Sequence, residues 1–404
     1  MTACIITIGD EILLGQMLDT NSQWIAEQLS SAGISVRRML SVGDGEREII
    51  NAITSASEEL LILTGGLGPT SDDRTKDALC THYKCDLVFN EEVFNRMREH
   101  FSGRPLADLE RNRMQAMVPS VCTPILNMNG TAPGMLFEDD NRILVSMPGV
   151  PQEMINMMTG FVLPRLQQRT TMQLNHSFVM TAGTAESALA EKLGSFETQL
   201  PVNVALAYLP SLGRVKLRFT SARPRAELDR LAREAALIIG DAAFATGVET
   251  SLEKHIGSLL RESGKTIGTA ESCTGGYIAH LITTVPGSSD YYMGSVISYS
   301  YELKETMLAV KHDTLIKHGA VSEQVVREML AGLLDSLKVD YGIAVSGIAG
   351  PAGATPDKPV GTVWLAVGSK EKVKTRLLQL KGDRMRIIET TSVLGLDELR
   401  RVVG

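Results

Sequence analysis

A serine hydroxyl turns nucleophilic where a strand ends, free backbone N–H groups lie beside it and a base is in reach. The stretch Glu271-Ser272-Cys273-Thr274-Gly275-Gly276 offers such a place. It follows an apolar run at 266–270 and opens a helical pattern at 277–281. The positive end of that helix favours a developing oxyanion. The same letters also read as a helix N-cap, Ser272, with glycines that only permit a tight turn. Cys273 gains some thiolate character at a helix start, but as a small apolar group it is expected to point into the core.

A serine at neutral pH needs a base. His255, His280, His312 and His318 show no carboxylate-paired pattern aimed at Ser272. Lys304 lies one helical turn beyond a strand-like run that ends at Tyr299. A lysine desolvated in a pocket has a lowered pKa and can act as base, with Tyr299 orienting it or relaying its proton. The plainer alternative is a solvated helix lysine beside a half-buried strand tyrosine.

Three further segments carry acidic or glycine-rich chemistry. They are Gly9-Asp10-Glu11 with Asp19-Thr20-Asn21-Ser22, then Thr64-Gly65-Gly66-Leu67-Gly68-Pro69-Thr70-Ser71-Asp72-Asp73, then Met147-Pro148-Gly149-Val150-Pro151-Gln152-Glu153. In the second, Gly65, Gly66 and Gly68 let backbone N–H groups approach a phosphate. Asp72 and Asp73 are hard oxygen ligands suited to Mg²⁺ on a phosphate-bearing substrate. A turn closed by an aspartate cap explains the same letters without a ligand.

These residues need a scaffold, and 404 residues imply more than one domain. With 44% apolar and 22% charged residues, the composition is that of a soluble globular chain. A net charge of −7 argues against a general nucleic-acid binder. No apolar run is long enough to span a membrane, and the first residues read as a strand without a cationic leader. Cys4, Cys80, Cys85, Cys122 and Cys273 include no C-x-x-C pair, so a reducing, cytoplasmic setting is expected.

Residues 1–168 alternate strand-like runs (3–9, 34–42, 59–66, 142–149) with helix-like runs (21–32, 46–56, 74–83, 91–100, 151–167). That order predicts a parallel sheet covered on both faces, with ligands gathered at the carboxyl ends of its strands. After a linker at 169–171, residues to 248 predict a small βαββα block. No G-x-x-G loop flanked by basic residues occurs there, so RNA binding is not supported. Residues 249–404 again predict three-layer α/β, with a Gly-rich loop at 346–353 after a strand.

The motif Thr64-Gly65-Gly66-Leu67-Gly68-Pro69-Thr70 with Asp72-Asp73 resembles the molybdopterin-binding fold of the MogA/MoaB type. Together with Gly9-Asp10-Glu11-Ile12-Leu13 and Met147-Pro148-Gly149-Val150-Pro151-Gln152-Glu153-Met154, it resembles more closely the amino-terminal half of the CinA family (competence/damage-inducible protein A). That resemblance implies metal-dependent ADP-ribose pyrophosphatase activity, with Asp72 and Asp73 at the metal and Asp10 and Glu11 nearby. The alternative it leaves is a molybdopterin-binding module without hydrolysis. The middle block resembles the KH-like domain of full-length members.

The carboxy-terminal motifs are similar to the PncC-type nicotinamide mononucleotide deamidase domain. They are Thr269–Gly276, Pro286-Gly287-Ser288-Ser289, Tyr299 with Lys304, Gly319-Ala320-Val321-Ser322-Glu323, Val345–Pro351 and Lys358–Trp364. The resemblance implies Ser272 as nucleophile, Lys304 as base and then acid, and Tyr299 assisting. It places an oxyanion hole at Thr274, Gly275 and Gly276. The loop with Gly347 and Gly350, together with Arg384, would hold the 5′-phosphate. Deamidation would need no cofactor, the substrates would be nicotinamide mononucleotide and ADP-ribose, and a homodimer without membrane or nucleic-acid partners is expected. A partner-binding protein with a vestigial site is the alternative for the whole chain. Tyr301 and Leu303 stand where the pattern has Asn and a small residue, and a bulky Tyr301 is expected to narrow the pocket.

Overall fold

Contacts divide the chain into two compact units, Met1–Leu174 and Asn175–Gly404. The computed structural model describes residues 1–70, 72–101, 109, 112–139, 141–169 and 174–404. Ser71 of the acidic loop and Thr170-Thr171 of the expected linker lie outside the described residues.

In the first unit the strands are β1 (Thr2–Ile8), β2 (Ser35–Val42), β3 (Leu60–Thr64), β4 (Leu87–Phe89), β5 (Met117–Pro119), β6 (Thr123–Ile125), β7 (Gly134–Glu138) and β8 (Ile143–Met147). One sheet runs β2-β1-β3-β8-β7-β6, and β4 pairs separately with β5. The first four strands are parallel, whereas β7 and β6 join antiparallel. Side chains alternate along β1 and β3, so each strand feeds two cores. Ile5 and Ile62 pack with Ile25, Leu29 and Met154 on one face. Ile6 and Leu63 pack with Ile49, Ile53 and Leu79 on the other. Burial on both faces explains why β3 reads as an unbroken apolar run. The carboxyl ends of β1, β3 and β8 lie side by side, and Gly65 N–H donates to the Met147 carbonyl at 3.0 Å.

The second unit holds two sheets. β9 (Asn175–Ala182), β10 (Ala205–Ser211), β11 (Arg214–Ser221) and β12 (Ala243–Thr246) form an antiparallel sheet in the order β10-β11-β9-β12. Helices Glu186–Glu197 and Arg225–Ile239 cover it, through Leu189, Leu193, Leu228 and Leu231 against Val179, Leu217 and Phe219. β13 (Ile267–Glu271), β14 (Tyr292–Ile297), β15 (Tyr341–Gly347), β16 (Thr362–Gly368) and β17 (Val373–Gln379) form the other sheet in the order β14-β13-β15-β16-β17. β14, β13 and β15 are parallel; β16 and β17 are antiparallel additions. Helices Leu252–Ser263, Tyr277–Thr283 and Arg384–Val403 pack on one face, through Ile256, Leu260, Ile278 and Leu396. Helix Glu323–Leu337 buries Val326, Met329 and Leu333 on the other.

The first unit and the β13–β17 part of the second are α/β, as the alternation of runs implies, and the antiparallel β9–β12 block is α+β. The departures from the sequence reading are local. The strands β4 to β7 and β12 and the helix His312–His318 add to the expected elements. Strands of three to five residues show too little periodicity to stand out, and pairing with a neighbour makes them. The helix expected over 151–167 contains one wide turn, Met158–Val162. Among the described residues, no helix is long and apolar enough to cross a membrane.

Candidate active site

Ser272 follows the last residue of β13. Its N–H donates to the Val345 carbonyl and its own carbonyl accepts from Gly275 N–H, both at 3.1 Å. Gly275 and Gly276 sit at φ of 59° and 98°, left-handed values that a side chain would strain. The cap of helix Tyr277–Thr283 is Gly276, so Ser272 stands on the turn before the helix and not at its N-cap. This leaves its hydroxyl free of a capping role.

That hydroxyl meets Lys304. The lysine is 1% exposed; its Nζ lies 2.9 Å from Ser272 Oγ and donates to the Ser298 carbonyl at 2.6 Å. Burial without a carboxylate partner pushes its pKa down to about 8. A neutral amine there keeps one N–H on Ser298 and turns its lone pair to the serine proton. Helix Tyr301–Leu308 carries Lys304 and is capped by Ser300, whose hydroxyl accepts from Leu303 N–H. Cys273 is buried beside the pair, and burial raises its thiol to about 12, so it stays protonated.

Ser272, Lys304, Tyr299, Arg384, Gly347 and Gly350 all line one cavity of about 210 Å³. The roles of its rim differ from the sequence reading. Tyr299 is 61% exposed, and its hydroxyl accepts from Arg384 Nη2 at 3.2 Å, with no hydrogen bond to Lys304 among the described residues. Arg384 Nη1 donates to the Gly350 carbonyl at 2.7 Å, which ties the glycine loop to the last helix. Tyr301 does not line the cavity; its hydroxyl accepts at 3.3 Å from the N–H of Ala320, which does.

The expected oxyanion donors are also rearranged. Thr274 Oγ1 and Gly276 N–H both donate to the Glu271 carboxylate, at 2.7 and 3.0 Å. Gly275 N–H is consumed by the turn. The N–H groups of Cys273 and Thr274 donate to no oxygen among the described residues; of the two residues, Cys273 lines the cavity and Thr274 does not. Sequence reasoning quoted Glu271 and gave it no part. Its signal is a carboxylate at the end of an otherwise apolar strand, which must find several donors to be buried.

In the first unit, Gly65, Gly66, Gly68, Asp72 and Asp73 line a crevice of about 500 Å³ together with Asp44. Gly65 has φ 110°, and a Cβ there would meet the Ile8 carbonyl oxygen at 2.0 Å. Asp73 accepts from Gly68 N–H at 2.7 Å and Thr70 N–H at 2.9 Å, so its carboxylate shapes the loop. Asp72 is exposed, and a hydrogen bond from Thr70 holds its pKa below the usual range. Glu11 lines the crevice, whereas Asp10 donates its N–H to Asp44 Oδ2 at 3.0 Å. Burial, then the charges of Asp10, Glu11 and Asp72, raise the Asp44 pKa. Sequence reasoning missed Asp44, which follows β2 and is brought to the crevice by the sheet order. Among the described residues, no three acidic, histidine or cysteine side chains converge as a metal cage.

Residues 249–403 match the CinA C-terminal domain, and residues 4–168 match the probable molybdopterin binding domain. A CinA-like protein of Cytophaga hutchinsonii is 43% identical over 407 residues, covering 99% of this chain and 97% of its own. A putative competence-damage inducible protein of Clostridium beijerinckii is 38% identical over 411 residues, covering 100% of both. Among solved structures, the competence/damage inducible protein CihA from Agrobacterium tumefaciens is 35% identical, with a TM-score of 0.36, and covers 37% of this chain and 91% of its own.

Proposed function

The chain belongs to the CinA family, and from that premise we propose that its carboxy-terminal site deamidates nicotinamide mononucleotide. The observation that carries this reading is the contact of 2.9 Å between a buried lysine amine and Ser272 Oγ. With a pKa of about 8, Lys304 is neutral in roughly a tenth of molecules at pH 7.

The steps follow from that pair. Neutral Lys304 takes the Ser272 proton as Oγ attacks the carboxamide carbon. The carbonyl electrons move to oxygen, for which the N–H of Cys273, the next residue in the cavity lining, is the nearest backbone donor in sequence. The Lys304 ammonium returns its proton to the amide nitrogen, the C–N bond breaks and ammonia leaves. Water, deprotonated by Lys304, then cleaves the ester to nicotinic acid mononucleotide and restores Ser272. Arg384 and the Gly347–Gly350 loop are at hand for the 5′-phosphate. Tyr299, held by Arg384, forms the rim.

For the amino-terminal crevice the reading is metal-dependent hydrolysis of ADP-ribose. Its donors are hard oxygens, and a Mg²⁺ that arrives on a pyrophosphate needs only one or two protein carboxylates. Asp72 and Asp44 would hold it, and Asp73 would keep the glycine loop in shape. The metal would neutralise charge on the pyrophosphate. The match of residues 4–168 to a probable molybdopterin binding domain favours a second reading, a ligand-binding module without hydrolysis. Turnover of ADP-ribose, measured against molybdopterin binding, separates the two.

The test of the main reading is ammonia release from nicotinamide mononucleotide. Ser272→Ala is expected to abolish it and to leave ADP-ribose hydrolysis untouched. Ammonia release retained in that variant removes Ser272 as nucleophile. No release from the wild type supports the vestigial, partner-binding alternative.

A further inference from the structure

Glu271 is 0% exposed, and an unsatisfied carboxylate at such a depth is costly. Here it is fully engaged. One oxygen accepts from Thr269 Oγ1 at 3.1 Å and Ala279 N–H at 2.9 Å. The other accepts from Thr274 Oγ1 at 2.7 Å, Gly276 N–H at 3.0 Å and Ile278 N–H at 3.1 Å. The carboxylate therefore stitches the end of β13 to both the turn and the first turn of the helix behind it. The donors at the helix start are spent on this internal anion.

The backbone of the same residue reaches the base. The Glu271 carbonyl accepts from Ser298 N–H at 2.9 Å. The Ser298 carbonyl in turn accepts from Lys304 Nζ. Ser272 is the next residue in the chain, so nucleophile and base are both referenced to one position. We propose that Glu271 is the positioning residue of this site: its carboxylate locks the 271–276 turn, and through that lock fixes the spacing of Ser272 and Lys304. This rests on Ser272 being the nucleophile, not on the identity of the substrate.

The test uses a fluorophosphonate, which labels an activated serine without a nucleotide. Ser272 Oγ forms a bond to phosphorus, fluoride leaves, and Lys304 takes the hydroxyl proton. Glu271→Gln keeps the shape but sets an amide N–H₂ against backbone donors. A displaced catalytic pair costs on the order of 100-fold, so the maximal labelling rate is expected to fall by about that factor with the reagent's half-saturation concentration unchanged. Thr274→Val removes one of the five bonds with little change in shape, and a fall of roughly tenfold is expected from the loss of about one charge-assisted hydrogen bond. A structural role alone predicts loss in proportion to the folded fraction, read by near-ultraviolet circular dichroism. Labelling at the wild-type rate in either variant, loss that only tracks unfolding, or a wild-type Ser272 that resists the reagent overturns the proposal. If Glu271→Gln does not fold, Thr274→Val decides. Wild-type labelling without ammonia release from nicotinamide mononucleotide removes the substrate assignment and leaves the role of Glu271 standing.

Discussion

The chain carries two glycine-lined sites at the ends of parallel strands, and they are built on opposite plans. The carboxy-terminal one is small, and its two reacting side chains are buried. Its reacting groups, Ser272 and Lys304, are 8% and 1% exposed and already in contact. The amino-terminal one is a crevice more than twice as large, about 500 against 210 Å³, with exposed Asp72 in its lining. Burial shifts Lys304 toward neutrality in the first, whereas crowded carboxylates dominate the second. A preassembled site carries its own base. A crevice of like charges is built to receive a cation or a charged ligand, which relieves the repulsion. The same strand-end architecture thus serves two chemistries, and burial is what separates them.

The largest expected effect concerns the base. Lys304→Met keeps the volume but removes the amine, and general-base loss costs on the order of 100- to 10,000-fold in kcat. Steady-state ammonia release measures it; a loss under tenfold would put the base elsewhere and erase the contrast between the sites. Next comes the crevice. Asp73→Ala strips the Gly68 and Thr70 N–H groups of their acceptor, and disorder of a phosphate-approaching loop is expected to cut ADP-ribose hydrolysis by roughly 100-fold. Deamidation stays unchanged. Raised Mg²⁺ is expected to rescue Asp72→Asn in part and Asp73→Ala not at all; equal rescue of both makes Asp73 a ligand as well. The smallest effect is in pH. Lys304 works when neutral, so below its pKa of about 8 kcat/KM falls about tenfold per pH unit and above it levels off. A profile flat from pH 6 to 9, measured with nicotinamide mononucleotide, would show that Lys304 is not the titrating base.

Much of this was legible in the residues. The alternation of runs at 3–9, 21–32, 34–42, 46–56 and 59–66 required a two-faced parallel sheet, and β1, β2 and β3 follow it. The glycines at 275 and 276 could be read as a sharp turn, and their positive φ values agree. Hydrogen-bond partners were not legible. The Tyr299 hydroxyl goes to Arg384, 85 positions away, and Tyr301 goes to the segment at Ala320. Asp44 carried no motif at all; the order β2-β1-β3 brings it to the crevice. Short strands such as β6, three residues long, exist because β7 offers a partner, which no local pattern announces.

The sequence by itself determined which groups are available and where the chain must turn. Side-chain chemistry and backbone freedom are local properties, so Ser272, Lys304 and the glycines around them could be named in advance. Only the tertiary structure decided which of these groups meet and in what charge state. Lys304 is 32 positions from Ser272, and its lowered pKa comes from water excluded by segments remote in the chain. Desolvation and hydrogen-bond geometry are sums over contacts that exist only once the sheet has closed.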